Sequence, residues 1–134
     1  MDDKKRLLII DDERDICEVL KAKFQFYGFE VFVAYDGREG FEKVTEVNPH
    51  CILLDIRMPG EDGLTFLRHL RSYRDDDPET QARIRKIPII VLTATGGNMK
   101  SLFQTEGVSD FVEKPFDANN LRDRIFKVIG NPQA

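Results

Sequence analysis

Histidine and cysteine are scarce in this 134-residue chain, two of each, and they are scattered with no CxxC pair and no Cys/His cluster. A zinc site built on nitrogen and sulfur would have to gather all four from separate places, which argues against structural zinc. No signal-type segment follows Met1, and Cys17 and Cys51 both lie inside apolar runs, so the expectation is a reduced, cytoplasmic protein. There is no stretch near the roughly 20 apolar residues of a membrane span. There is also no run of Lys or Arg. With 24 acids against 20 bases and a net charge of −4, the chain lacks the basic footprint of a nucleic-acid binder. Repeats and low-complexity tracts are absent too. What is present is 41% hydrophobic residues, 10 Phe and 33% charged residues, the composition of one folded domain with a single core.

Apolar runs of strand length recur at Leu7-Leu8-Ile9-Ile10, Val31-Phe32-Val33-Ala34, Cys51-Ile52-Leu53-Leu54, Ile89-Ile90-Val91-Leu92 and, more weakly, Asp110-Phe111-Val112. The first, third and fourth do not alternate with polar residues, as expected of parallel strands covered on both faces. Helical spacing lies between them. Ile16, Val19, Leu20, Phe24 and Tyr27 predict a first helix ended by Gly28. Phe41 and Val44 mark a second, entered near Asp36-Gly37, and Leu64, Phe66, Leu67 and Leu70 a third. A short fourth helix is expected within 98–106, after Gly96-Gly97. The last carries Leu121, Ile125, Val128 and Ile129 behind an Asp117 cap, with Phe116 as a staple. Segment 74–86, with mixed charges around Pro78, reads as a solvated loop. Five strand and helix alternations imply right-handed crossovers and an open α/β sheet with helices on both faces.

Ligands on such a sheet collect at the C-terminal strand ends, near the point where strand order reverses. The first run ends in Asp11-Asp12-Glu13, the third in Asp55, the fourth in Thr93, and the fifth is followed by Glu113-Lys114-Pro115. Carboxylates crowded together must protonate or share a cation. Oxygen ligands without thiol or imidazole favour Mg²⁺, which takes one or two carboxylates and keeps several waters. A strand-end Asp55 near a metal and near Lys114 would stay ionised and could attack phosphorus. Plainer readings stand beside these: Asp11 as a helix cap, Asp55 as a turn residue, Thr93 as a strand residue bonded to backbone, Lys114 as a solvated surface charge.

The strings LLIIDDE, ILLDIRMPGEDG, PIIVLTA and DFVEKPF, in that order on alternating elements, resemble the receiver domain of two-component response regulators over nearly the whole chain. The resemblance implies a flavodoxin-like (βα)5 sheet with strand order 2-1-3-4-5 in one receiver domain, residues 1–134 with a core of about 6–130. It implies that Asp55 accepts a phosphoryl group from a sensor histidine kinase or histidine phosphotransfer protein. Asp12, Asp55 and the backbone carbonyl of Arg57 would contact Mg²⁺, with Asp11 acting through water. Thr93, the Ala94 N–H and Lys114 would bind the phosphoryl oxygens. Thr93 would be coupled to Phe111 as a switch that remodels the face formed by the helix in 98–106, the fifth strand and the last helix. The output would be a contact with a downstream protein partner or effector domain, without direct nucleic-acid or membrane binding. A phosphorylation-dependent homodimer stays open.

Departures from the family pattern are Phe111 where Tyr is commoner, Gly96-Gly97 after Thr95, the Arg57 side chain beside the phosphorylation site, and the long 74–86 connection. Three readings compete with this one. A haloacid-dehalogenase-type phosphohydrolase needs a second Asp two positions after the nucleophile, where this chain has Arg57; turnover of an external substrate is therefore not expected. A flavin or nucleotide binder would present a Gly- or Ser/Thr-rich loop where this chain presents Asp11-Asp12-Glu13. The third is a receiver-like module that binds proteins without phosphorylation.

Overall fold

Alternation hidden inside the apolar runs builds the core. In the computed structural model, which describes residues 4–56, 61–93 and 107–130, the runs form strands β1 (Arg6–Ile10), β2 (Glu30–Ala34), β3 (Cys51–Ile56), β4 (Ile89–Thr93) and β5 (Asp110–Glu113). They pair in parallel in the order β2-β1-β3-β4-β5. Leu8, Ile10, Ile52, Leu54, Ile89 and Val91 enter one buried cluster, while Leu7, Ile9, Cys51, Leu53, Ile90 and Leu92 enter the other. Each run is thus two interleaved period-2 sets, one for each face of the sheet.

Helices α1 (Arg14–Phe26), α2 (Gly37–Val47), α3 (Glu61–Arg71), α4 (Pro78–Arg85) and α5 (Ala118–Ile129) cover those faces. α1 and α5 supply Cys17, Leu20, Phe24, Leu121 and Ile125 to one side. α2, α3 and α4 supply Val44, Phe66, Leu67, Leu70 and Ile84 to the other. The chain leaves β1 toward β2 and returns across β1 to β3, so the order reverses between β1 and β3, and the crevice opens at their C-terminal ends. No helix among the described residues is long and apolar enough to cross a membrane.

Local signals set the helix starts. Asp36 accepts the Glu39 N–H at 2.8 Å, and Glu39 in turn accepts the Tyr35 N–H at 2.7 Å, a reciprocal arrangement of the capping-box kind at α2. Asp117 caps α5 as expected, accepting the Asn119 N–H at 2.8 Å. Gly40 lets α2 approach β1, since a Cβ there would lie 2.6 Å from Ile10 Cδ1 and 3.3 Å from Phe66.

Two expectations are corrected. Segment 74–86 is not simply a solvated loop: it contains α4, with Asp77 accepting the Thr80 N–H at 3.3 Å and hydroxyl at 2.7 Å, and Pro78 in the first turn. An Asp cap followed by Pro is a start signal, but Ile84 is the one buried residue in this eight-residue helix, so no apolar stripe announces it. Arg71 secures the segment. Its Nη1 donates to the carbonyls of Arg85 (2.7 Å) and Ile87 (3.0 Å), and its Nη2 to that of Gly107 (2.9 Å). The second correction concerns α1, where Val19 is 56% exposed and Cys17 takes the inward position, because the helix is rotated to seat Cys17, Leu20 and Phe24 on the sheet. The helix expected within 98–106 lies outside the described residues.

Two predictions test this packing. Gly40→Ala should lower stability by about 1–3 kcal/mol in urea unfolding, because Ile10 and Phe66 must both give way. An unchanged midpoint would mean that α2 rides further from β1. His50 Nδ1 accepts the Arg6 N–H at 2.9 Å, and burial, then Arg6 and Lys5, hold its pKa below 6.5. A depressed folded pKa means the neutral ring stabilises the fold above pH 6.5, and this contribution is lost as pH falls through the folded value. The stability difference between wild type and His50→Asn should be flat above pH 6.5 and shrink below it; a pH-independent difference would refute the role of Nδ1.

Candidate functional site

Sheet register brings the acids together. Ile9 stands opposite Leu53 and Ile10 opposite Leu54, so one further step sets Asp11 beside Asp55, both on the parity that faces α1 and α5. Lys114 joins them from beyond β5, two residues after Val112 of the same parity, with its backbone N–H donating to the Thr93 carbonyl at 2.7 Å. The Lys114–Pro115 peptide is cis. The ammonium donates directly to Asp55 Oδ2 in an ion pair. The Asp55 side chain is 0% exposed and that of Lys114 is 20% exposed, so the carboxylate lies on the floor of the site and the lysine lies over it.

Asp11 is buried, and its Oδ1 accepts the Glu13 N–H at 2.9 Å. This is an Asx-type turn ahead of α1, whose N-cap is Glu13 rather than Asp11, and it occupies one oxygen only. Asp11 Oδ2 and Asp55 Oδ1 are buried without a hydrogen-bond partner. Burial first, and then the nearness of Asp55, push the Asp11 carboxyl up to about 7, against the opposing pull of the Glu13 N–H and the Lys114 charge. The cause is ordinary: two acids in a poorly hydrated corner resist double ionisation.

Asp12 is exposed at the rim. Among the described residues no three acid, imidazole or thiol groups close around a point as a ready-made metal shell. The two orphaned oxygens nevertheless fit a hard divalent cation, which needs one or two carboxylates and completes its shell with water and carbonyl oxygen. Arg57 and Ala94, expected to supply a carbonyl and an N–H, lie outside the described residues.

Thr93 is buried at the end of β4, opposite Ile56 and one residue past Leu92, the partner of Asp55. Phe111 is paired with Val91, so it shares the parity of Thr93 and lies diagonal to it on the neighbouring strand, packed at the edge of the α2, α3 and α4 cluster. Diagonal neighbours on one face are within reach of an aromatic ring.

Two neighbours of the site escaped the sequence reading. The Cys17 thiol donates to the Asp11 carbonyl at 3.4 Å, and burial together with the charges of Asp11, Asp55 and Asp12 pushes it up to about 12. Its six-residue spacing from Asp11 was the only available signal. The Arg14 guanidinium sits 4.0 Å from the centre of the Tyr35 ring, joining the start of α1 to the end of β2.

A 2-1-3-4-5 parallel sheet with an acid pair and a lysine at its reversal point is a doubly wound domain of the chemotaxis-regulator type. The family described as response regulator receiver domain matches residues 7–126, and the chain belongs to it, a signalling module of two-component systems. Solved structures agree. The Vibrio cholerae chemotaxis protein CheY4 is 26% identical with a TM-score of 0.80, over 94% of this chain and 99% of that one. The receiver domain of the Pseudomonas aeruginosa sensor histidine kinase PA1611, with a magnesium ion coordinated in its active-site cleft, is 26% identical with a TM-score of 0.79, over 96% and 99%. The BeF3-activated N-terminal receiver domain of Klebsiella pneumoniae RstA is 25% identical with a TM-score of 0.76, over 93% and 98%.

The raised Asp11 carboxyl carries a sign that can be tested. Its folded pKa of about 7 lies above the ordinary 3.8, so the favourable state is the protonated one, fully present below 3.8 and lost as pH rises through 7. In EDTA at pH 8, Asp11→Asn should therefore melt about 3–5 °C above wild type, the shift expected for roughly 1 kcal/mol. The gain should vanish near pH 4. A variant that melts lower than wild type in EDTA at pH 8 would show that the pair is not mutually repulsive.

Proposed function

We propose that this chain is a phosphorylation-dependent switch in which Asp55 is the phosphoacceptor. The observation that carries the reading is the convergence of Asp55 with Lys114 and Asp11, leaving one oxygen of each acid unpartnered. The phosphoryl donor is a phosphohistidine on a sensor histidine kinase or a histidine phosphotransfer protein. One Asp55 carboxylate oxygen forms the new bond to phosphorus as the phosphorus–nitrogen bond breaks, and the imidazole leaves with the electron pair and takes up a proton. Lys114 holds Oδ2 and aims the carboxylate, and then pairs with the phosphoryl oxygens, as do the Thr93 hydroxyl and the Ala94 N–H. Asp12, Asp55 and the Arg57 carbonyl would hold Mg²⁺, with Asp11 acting through water. When bound, the ion would supply charge neutralisation for the phosphoryl group. Its likeness to the magnesium-bearing cleft of the Pseudomonas receiver supports this.

Engagement of Thr93 by the phosphoryl group draws its side chain toward the site. The diagonal Phe111 ring follows into the space released, and the β5 and α5 face changes shape. Phe111 has no hydroxyl, so its two placements differ by packing alone. The readout is a contact with a downstream protein or effector domain, without direct nucleic-acid binding and in the cytoplasm. Residues 1–134 act as one receiver domain, and no turnover of an external substrate is involved.

Intact mass after incubation with acetyl phosphate and Mg²⁺ tests this reading. One phosphoryl adduct is expected, lost in Asp55→Ala and in EDTA. Absence of an adduct under all conditions would overturn it in favour of a binding module that works without phosphorylation.

A further inference from the structure

One ion pair grips the backbone of Phe111 from both ends. Arg124 in α5 donates through Nη1 to both oxygens of Asp110, at 2.9 and 3.0 Å, and to the Phe111 carbonyl at 3.4 Å. Asp110 Oδ1 also accepts the Phe111 N–H at 2.7 Å. The guanidinium is itself aimed from the first turn of α5, since Arg124 Nε donates to Asn120 Oδ1 at 3.0 Å. The N–H and the C=O of a single residue are therefore tied through one pair to a helix on the opposite face from its ring.

Location makes this grip consequential. Among the described residues β5 is an edge strand, paired with β4 alone, so side-chain contacts carry much of the constraint on its outer side. The side chains of Arg124 and Asp110 are 38% and 31% exposed. A pair this wet contributes little to global stability, and solvent and salt reach it readily. It can bias a local equilibrium without being required for the fold.

We infer that Asp110 and Arg124 form a positioning latch on Phe111, which holds β5 in the packing described here and links α5 to the switch ring. The inference rests on the reading of Asp55, Thr93 and Phe111 given above. While the latch is closed, any shift of β5 that accompanies movement of the ring strains a backbone held at both ends. Opening it lowers that resistance, so the ring moves more readily in the unphosphorylated protein.

Fluorine NMR of 4-fluorophenylalanine-labelled protein tests the latch, with the Phe111 signal assigned from Phe111→Leu and acetyl phosphate adducts followed by mass on the same samples. In unphosphorylated Arg124→Ala and Asp110→Asn the Phe111 signal should move toward its phosphorylated position, a population shift of about two- to fivefold, the scale of a partly exposed pair. Arg124→Lys, which keeps the charge and loses the fork, should fall between wild type and Ala. Added NaCl should move the wild-type signal but not that of Arg124→Ala. A Phe111 signal unchanged by every variant, with the Asp55 adduct still forming, would overturn the latch alone. A lowered melting temperature with an unmoved signal would do the same, because it marks a merely structural pair. No adduct in wild type would overturn the phosphoacceptor reading, and the latch with it.

Discussion

Two carboxylates placed side by side at the end of a buried sheet are an electrostatic problem that the rest of this protein is arranged to hold. Asp11 and Asp55 meet because β1 and β3 are neighbours in register, and neither can retreat because Asp11 directly follows β1 and Asp55 lies within the end of β3, strands whose side chains are packed on both faces. Lys114 relieves half of the strain by binding one Asp55 oxygen, and the Glu13 N–H relieves part of the rest. One oxygen of each acid is still without a partner. That residual demand for positive charge is what makes the corner chemically useful: it draws a proton at low pH, and a hard cation with its phosphoryl ligands suits it better.

Rigidity of the sheet turns this local demand into a directed response. The parity that sends Asp11, Asp55 and Lys114 toward α1 and α5 sends Thr93 and Phe111 toward the other face. A group bound at the acids therefore reaches the opposite layer through Thr93, across the thickness of one sheet. Close-packed layers do not deform smoothly, so a displacement of one side chain is accommodated by another changing place. At the edge of the sheet, where β5 has one neighbouring strand only, such a change meets the least resistance.

The α4 segment shows the converse, a surface element held without a core of its own. A single buried side chain, Ile84, anchors it, and its position depends on Arg71, which spends three of its donors on carbonyls from the end of α4, the approach to β4 and the approach to β5. Backbone carbonyls rather than a carboxylate partner this guanidinium, so the attachment works through shape more than through charge. It extends the α2 and α3 layer and leaves the acid site untouched.

The five strands, helices α1, α2, α3 and α5, the sheet's two-sided burial and the order in which Asp11, Asp55, Thr93 and Lys114 reach its C-terminal edge were legible in the sequence. They depend on short-range patterns: unbroken apolar runs, helical spacing, and Asp caps such as Asp36 and Asp117. Residues whose roles depend on partners far along the chain were not legible. The rotation that buries Cys17 and exposes Val19 is set by the surface α1 meets, not by α1 alone. α4 gave a start signal without a stripe, and Arg71 and Arg124 look like any solvated arginine until the backbone they bind is brought to them. Sequence by itself determined which groups arrive at the site, because strand periodicity is local. Only the tertiary structure decided which oxygens remain unsatisfied there and which charges bind the backbone of β5, because those depend on distances between segments that meet only once the sheet has formed.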